Sequence, residues 1–254
     1  MTRVAAVVVS HDNADEVEHL LPILAPQVDE LVLVANKPES VGRVPDGVQL
    51  IVNSVPAGFA ANVNRGAAST DAEYVLTVNP DAVPRRGAVS ALHEFMDVHL
   101  RAGVAGPRMV YPDGMLQPSR RRFPTVLGTL VRRTPIRLLF DPYQLQRRHY
   151  HLGDEPVEPV RADWMLGGFL MLRRTMLDEL GGLDEGFRLY GEDIDLCYRA
   201  AKAGWERWYV PDAVVEHTHK AVTDRALFTR RTLWHWRGIV RFVRKHPERL
   251  RALR

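Results

Sequence analysis

The residues best suited to chemistry in this chain are carboxylates placed at the ends of regular runs. In VLTVNPDA, residues 75–82, a strand-forming run stops at Pro80 and delivers Asp81 just beyond it. Proline lacks a backbone N–H and so ends a strand ladder. Asn79 and Asp81 then project from one turn, and oxygen ligands of that kind suit a hard divalent cation bridging a diphosphate. The plainer reading is an Asx-turn that only closes the strand.

A second group lies in LDEGFRLYGEDIDLCYRA, residues 183–200, where Glu192, Asp193 and Asp195 crowd the start of a helix. The helix dipole stabilises a carboxylate there by roughly 0.3–1 kcal/mol, so simple capping accounts for one of them. Three acids in four residues repel one another and exceed what a cap requires. A carboxylate held in that position makes a good base for deprotonating a hydroxyl. Ile194, Cys197 and Ala201 are expected on the core face of the same helix. The third group is VPDAVVEHTH, residues 210–219, with His217 and His219 on one face of an extended segment. These histidines are either metal ligands or structural.

The elements that must hold these groups alternate in the first hundred residues. Val4–Val9 is a β-branched run, as expected of a strand buried on both faces. Ala14–Leu24, Gly58–Ala68 and Arg86–Leu100 have helical periodicity; Leu31–Ala35, Val48–Val52 and Tyr74–Val78 read as strands. That order predicts an α/β fold with a mostly parallel central sheet flanked by helices. In such sheets ligands bind beyond the carboxyl ends of the strands, which is where Asp81 stands. Further on, a hairpin is expected to turn at Pro112-Asp113-Gly114, and residues 119–160 are arginine-rich and weakly periodic. Trp164–Leu172 reads as a strand, Arg174–Leu180 and Glu192–Ala203 as helices, Glu206–Val210 and Ala213–His217 as two short strands. A helical tail begins near Asp224.

The chain has 254 residues, 46% of them hydrophobic and 26% charged, enough for a sizeable core. Its net charge of +3 is unevenly spread: residues 101–150 and 221–254 each carry +8, and the remainder carries −13. Two basic blocks on an acidic body point to contact with phosphates or a lipid surface, or else to a solvated basic face. A single cysteine excludes an intrachain disulfide and a multi-cysteine zinc site, and it fits a reducing, cytosolic setting. Neither a G-x-G-x-x-G after the first strand nor a P-loop is present, which disfavours dinucleotide redox chemistry and P-loop hydrolysis. No stretch reaches the ~20 apolar residues that a membrane-spanning helix needs.

In sequence order, VAAVVVSHDN, GFAANVNRGA, VNPDA, GPRMVYPDGMLQPSRRRFPT, WMLGGFLMLRR, GGLDEGFRLYGEDIDLCYRAAKAGW and VPDAVVEHTH resemble an inverting family 2 glycosyltransferase of GT-A fold. The resemblance covers residues 3 to about 220 and is greatest to rhamnosyltransferases that act on N-acetylglucosaminyl diphospho-polyprenol. It implies a nucleotide-sugar-binding half over 1–106, an acceptor-binding and catalytic half over 107–220, and a basic helical tail over 221–254. Asp193 matches the family's general base, and one displacement inverts the anomeric centre. Asp81 would bind Mg²⁺ or Mn²⁺ against the donor diphosphate, with His217 able to complete that site. Ser10, Gly58 and Asn64 match positions lining the donor pocket, and Asn79 stands beside Asp81 there. Trp164 matches an aromatic on which an acceptor sugar stacks, with Gly167, Gly168 and Glu192 on the same acceptor side.

Two departures matter. Asn79 stands where the family has its first Asp, so the cation site loses one negative charge. Ala35-Asn36 replaces the family's Asp-Asn, and Ala35 cannot accept a hydrogen bond from a base; recognition then passes to Asn36 or to backbone groups. The implied donor is dTDP-rhamnose, with another hexose such as galactofuranose from a UDP donor as the alternative. The acceptor is a lipid-linked or other glycan, and no nucleic-acid partner is expected. A nucleotidyltransferase would share the nucleotide-binding half but leaves the Gly191-Glu192-Asp193 segment and Trp164 unexplained. A catalytically silent sugar-nucleotide-binding module is the non-enzyme alternative.

The tail sets Leu233, Trp236, Ile239, Val240 and Val243 on one helical arc and Arg230, Arg237, Arg241, Arg244 and Lys245 opposite. Such a helix lies in a membrane interface with anionic lipid, which implies a cytoplasmic protein held peripherally on the inner face of the membrane. In the competing reading it docks on its own domain or on a second copy in a homodimer.

Overall fold

The computed structural model describes residues 2–124, 147, 149–218 and 230–251. In chain order its elements are β1 (Val4–Ser10), α1 (Ala14–Leu24), β2 (Glu30–Ala35), β3 (Val48–Val52), α2 (Phe59–Ala67), β4 (Tyr74–Val78), β5 (Ala82–Pro84) and α3 (Ala88–Val98). They continue as β6 (Ala102–Val110), β7 (Leu116–Gln117), β8 (Arg120–Arg121), β9 (Val160–Arg161), β10 (Trp164–Met165), β11 (Phe169–Arg173) and α4 (Arg174–Leu180). The last are α5 (Glu192–Lys202), β12 (Glu206–His217), α6 (Arg230–Lys245) and α7 (Glu248–Arg251).

The main sheet runs β3-β2-β1-β4-β11-β6-β12-β5, with β7 and β9 on side branches; β10 pairs with β8 in a separate ribbon. β1 to β4 are mutually parallel where they pair, as are β6 and β12, while β11 lies antiparallel between β4 and β6. The β-branched run of β1 is buried along its whole length because both its faces are covered. Val4, Ala6 and Val8 meet α1 and α3 on one side; Val7 and Val9 meet α2, α4 and α5 on the other.

Two expectations about strands are corrected. Trp164–Leu172 is not one strand. It divides at Leu166–Gly168, with β10 going to the ribbon and β11 to the main sheet. Conversely, Glu206–Val210 and Ala213–His217 form one strand, with its register shifting between Val210 and Val214. The bulge absorbs Pro211, which cannot donate to a ladder. The hairpin forms where expected: Tyr111 N–H donates to Met115 O (2.8 Å) and Asp113 Oδ1 accepts from Met115 N–H (2.9 Å).

Candidate active site

β4 ends in the Asn79–Asp81 turn, which is held from two sides. The Asn79 N–H donates to Gly168 O (2.8 Å), and Asp81 O accepts from the Thr218 N–H (3.0 Å). The second contact brings the end of β12 against the turn, so that Asp81 Oδ1 lies 3.4 Å from His217 Nε2. His217 is buried, and its Nδ1 sits 2.7 Å from Gln117 Oε1. An amide oxygen only accepts, so Nδ1 is the donor to Gln117 and Nε2 is the nitrogen that faces the Asp81 carboxylate. A carboxylate facing a ring nitrogen, with the second ring nitrogen anchored by an amide, is a donor pair of the kind that holds a divalent cation. Among the described residues no three His, Cys, Asp or Glu side chains converge as a metal-binding group.

The break between β10 and β11 connects this corner to the acids of α5. Gly167 N–H donates to Asp193 Oδ2 (3.1 Å), and a Cβ on Gly167 would lie 3.2 Å from Asp193 Cβ. A Cβ on Gly168 would lie 3.3 Å from Asn79 Nδ2 and 3.5 Å from His217 Nε2. A side chain at either position would therefore crowd the Asp193 side or the Asn79–His217 side. The dipeptide is the point where the two groups of polar residues meet.

The three acids of α5 separate sharply. Burial raises the pKa of Asp193, opposed by backbone N–H bonds from Ile194 (2.8 Å) and Gly167 and by the nearby charge of Arg121. Glu192 is buried, and its pKa is pushed up to about 8 by that burial and then by the charge of Asp193. Its Oε2 is a buried oxygen without a hydrogen-bond partner. Asp195 is fully buried and saturated: Arg199 Nε lies at 2.7 Å, Lys245 Nζ at 2.9 Å and the His246 ring Nε2 at 2.8 Å. Cys197 is core, as expected, with its thiol pushed up to about 12 by burial. Ile194 and Ala201 are half-buried, and Leu196 and Ala200 join Cys197 in the core.

Several donor-side residues have their side chains committed to the fold. The buried Ser10 hydroxyl donates to Ser40 O. Asn36 Oδ1 accepts from Ala57 N–H (2.8 Å) and Asn53 Nδ2 (2.9 Å), and its Nδ2 donates to Ala57 O (3.0 Å) and lies 2.9 Å from His11 Nδ1. That amide is saturated by its own loops, which corrects the expectation that it reads the base. Asn64 clamps α2 to the loop ahead of α5, donating to Leu183 O (2.8 Å) and accepting from Leu183 N–H (2.8 Å). Gly58 abuts that loop as well, where a Cβ would lie 3.1 Å from Arg188 O.

Trp164 is also corrected. It is 4% exposed, its Nε1 donates to Arg122 O (2.8 Å), and the Arg121 guanidinium lies 5.1 Å from the ring centroid. A ring so enclosed has no open face on which a sugar can stack. Arg121 itself, 4.7 Å from the Tyr150 ring and electrostatically felt by Asp193, is a site residue the sequence reading passed over. The Arg120–Arg122 run, part of a basic block and of the GPRMVYPDGMLQPSRRRFPT motif, is the available signal, though it does not single out Arg121.

The tail helix α6 packs on the domain, and not with the orientation its pattern implied. Arg241 and Lys245, expected to face away, each lie 2.6 Å from Asp184. Burial alone would raise Asp184, yet those two cations hold its carboxyl well below the usual range. Gly238, Phe242 and His246 are buried on the same side. Trp236, Ile239 and Val243 are only half-buried and Val240 is 44% exposed, so the apolar arc turns away from the contact. His219 and residues 221–229 lie outside the described residues.

A family model described as "Glycosyltransferase like family 2" matches residues 25–235. The chain is 33% identical over 201 residues to the N-acetylglucosaminyl-diphospho-decaprenol L-rhamnosyltransferase of Mycobacterium tuberculosis, an alignment spanning 72% of this chain and 62% of that protein. It is 24% identical over 255 residues to the rhamnosyltransferase WbbL of Escherichia coli, covering 93% of this chain and 91% of the relative. Two solved structures share the fold. One is GalNAc-T7 with UDP, GalNAc and Mn²⁺ (TM-score 0.62, 16% identity, 85% of this chain and 44% of that one). The other is the mannosyltransferase PcManGT of Pyrobaculum calidifontis with GDP-Man and Mn²⁺ (TM-score 0.60, 17% identity, 96% and 64%). At these identities the structural likeness concerns architecture, which is GT-A. With the matched model covering most of its length, the chain belongs to glycosyltransferase family 2.

Proposed function

We propose that this chain is an inverting glycosyltransferase that moves L-rhamnose from dTDP-rhamnose onto a polyprenyl-diphosphate-linked N-acetylglucosamine, or a related glycan, in cell-wall or surface polysaccharide assembly. The observation that carries this reading is the Gly167-Gly168 dipeptide, with Asp193 against one glycine and Asn79 and His217 against the other. Support for the sugar and the acceptor comes from the names of the relatives, of which the mycobacterial one is spanned over 62% of its length. In this reading residues 1–106 hold the donor, 107–220 hold the acceptor and the base, and 221–254 form the tail.

Asp193 takes the proton from the acceptor hydroxyl. The freed oxygen attacks the anomeric carbon as the bond from that carbon to the diphosphate oxygen breaks. The electron pair leaves with the nucleoside diphosphate, so the configuration inverts in one step. The buried setting that raises the pKa of Asp193 makes it a stronger base than a solvated carboxylate. Gly167 N–H holds Oδ2 in place.

Asp81 and His217 would hold Mg²⁺ or Mn²⁺ together with diphosphate oxygens. A carboxylate oxygen and an imidazole nitrogen anchored through Gln117 fit that group. When bound, such a cation supplies positive charge against the leaving diphosphate. Among the described residues no helix is long and apolar enough to cross a membrane. The outward arc of α6, with Arg237 and Arg244 exposed beside it, fits peripheral contact with anionic lipid on the inner membrane face, where a polyprenyl acceptor is reached.

The test is transfer from a panel of dTDP- and UDP-sugars to polyprenyl-diphosphate N-acetylglucosamine, followed by mass spectrometry. A mass gain of one deoxyhexose from dTDP-rhamnose is expected. No transfer from any donor would end the enzymatic reading, and transfer only from a UDP-hexose would end the rhamnosyl one.

A further inference from the structure

The loop that delivers Asp193 is gripped by the C-terminal helix, and this contact is not explained by donor or acceptor binding. Tyr190 and Gly191, immediately before Glu192 and Asp193, both have positive φ, 70° and 99°. A non-glycine residue held there is strained and persists only where its surroundings impose it. α2 holds the start of this loop through Phe59 N–H on Arg188 O (3.2 Å), and α6 packs directly on the strained turn. Gly238 lies so close to this turn that a Cβ on it would sit 2.5 Å from Tyr190 O. Lys245 adds a bridge, reaching Asp184 at 2.6 Å and Asp195 at 2.9 Å, on either side of the turn. His246 Nε2, buried, completes the grip at 2.8 Å from Asp195, two residues beyond the base.

We infer that α6 is a positioning element for Asp193: Gly238 holds the Tyr190–Gly191 turn, and His246 with Lys245 anchors Asp195, so that the base is placed only when the helix is docked. The inference rests on the glycosyltransferase reading for its catalytic consequence, but not for the contact itself. Because the contact lies at the turn and at α5, its loss changes the placement of Asp193 and leaves the Asp81–His217 corner intact. Binding of the donor and turnover should therefore separate.

The experiment compares the full-length protein with Gly238→Ala, His246→Leu and His246→Gln. Alanine raises helix propensity over glycine, so Gly238→Ala tests the close contact without weakening α6 as a helix. The glutamine amide can still donate to Asp195, and leucine cannot. Three quantities are read: hydrogen exchange of the 188–195 amides, dTDP affinity by calorimetry, and kcat in the transfer assay. Gly238→Ala and His246→Leu are expected to speed exchange across 188–195 and to lower kcat by about 10- to 100-fold, as displacement of a catalytic group by about 1 Å does. The affinity for dTDP should hold within about twofold, and His246→Gln should recover most of kcat. Unchanged exchange in Gly238→Ala and His246→Leu would overturn the inference. So would faster exchange with unchanged kcat, or a parallel loss of dTDP affinity, either of which marks a role in the fold alone. A wild-type protein without transfer activity would count against the function proposed above, while the exchange measurement would still decide whether α6 holds the turn.

Discussion

Glu192 and Asp195 lie within one turn of the same helix, both buried, and meet opposite surroundings. Asp195 has two cations, Arg199 and Lys245, and the His246 ring nitrogen within hydrogen-bond distance, the last two supplied by the segment around the end of α6. Glu192 has a negative neighbour, Asp193, and one oxygen without a hydrogen-bond partner. A protein that only needed to be stable would compensate both. Glu192 left without a partner beside Asp193, with Asp195 saturated a few ångströms along the same helix, is the contrast that the proposed catalytic role of Asp193 accounts for.

The comparison is broken most severely at the uncompensated end. Asp193→Asn retains size and can still accept one of the two backbone N–H bonds, from Gly167 or Ile194, but it cannot take a proton. Turnover should fall by ~10²–10⁴-fold with the melting temperature nearly unchanged, as steady-state rates and thermal melts on one preparation will show. At the compensated end the effect moves to stability. Asp195→Leu strips the partner from Arg199, Lys245 and His246, and removing one member of a buried ionic cluster costs about 3–5 kcal/mol. Urea denaturation should report that loss.

A pH dependence sharpens the contrast. Burial and the charge of Asp193 raise Glu192 from 4.5 in the free side chain to about 8 in the folded protein. The folded state thus holds a proton that the unfolded state has released. The stability this contributes is complete below pH 4.5 and is lost as pH rises through about 8, by up to ~1.4 kcal/mol per unit. Glu192→Gln carries no titrating proton, so its stability should decline less between those values than that of the wild type, as measured by melts across that pH range.

Much of the architecture of the first hundred residues was legible in the chain. The β-branched runs of β1 and β2 and the periodicity of α1, α2 and α3 report local burial, which depends on neighbours in sequence. Asp81, His217 and Asp193 were also identified as candidates, because proline-ended strands and acid-rich helix starts are local features. What escaped depends on distant partners. Asp195 looks like its neighbours in the sequence, and its distinguishing contacts come from residues 50 and 51 positions away. Arg241 and Lys245 fall on the polar side of a helical wheel, and no wheel shows that Asp184 waits there. The split of Trp164–Leu172 follows from the use of Gly167 N–H and Gly168 O by the site instead of by a ladder. Trp164 carried an aromatic face that only the packing of Arg121 could show to be covered.

The central claim is that one corner holds the donor and the other activates the acceptor, and it is tested most directly by calorimetric binding of the nucleotide-sugar donor with and without Mn²⁺. Wild type, Asp81→Ala and Asp193→Asn form the set. The account predicts tighter binding with Mn²⁺ in wild type and Asp193→Asn alike, and no gain from Mn²⁺ in Asp81→Ala. Equal affinity with and without Mn²⁺ in the wild type, or loss of the Mn²⁺ gain in Asp193→Asn with its retention in Asp81→Ala, would contradict it.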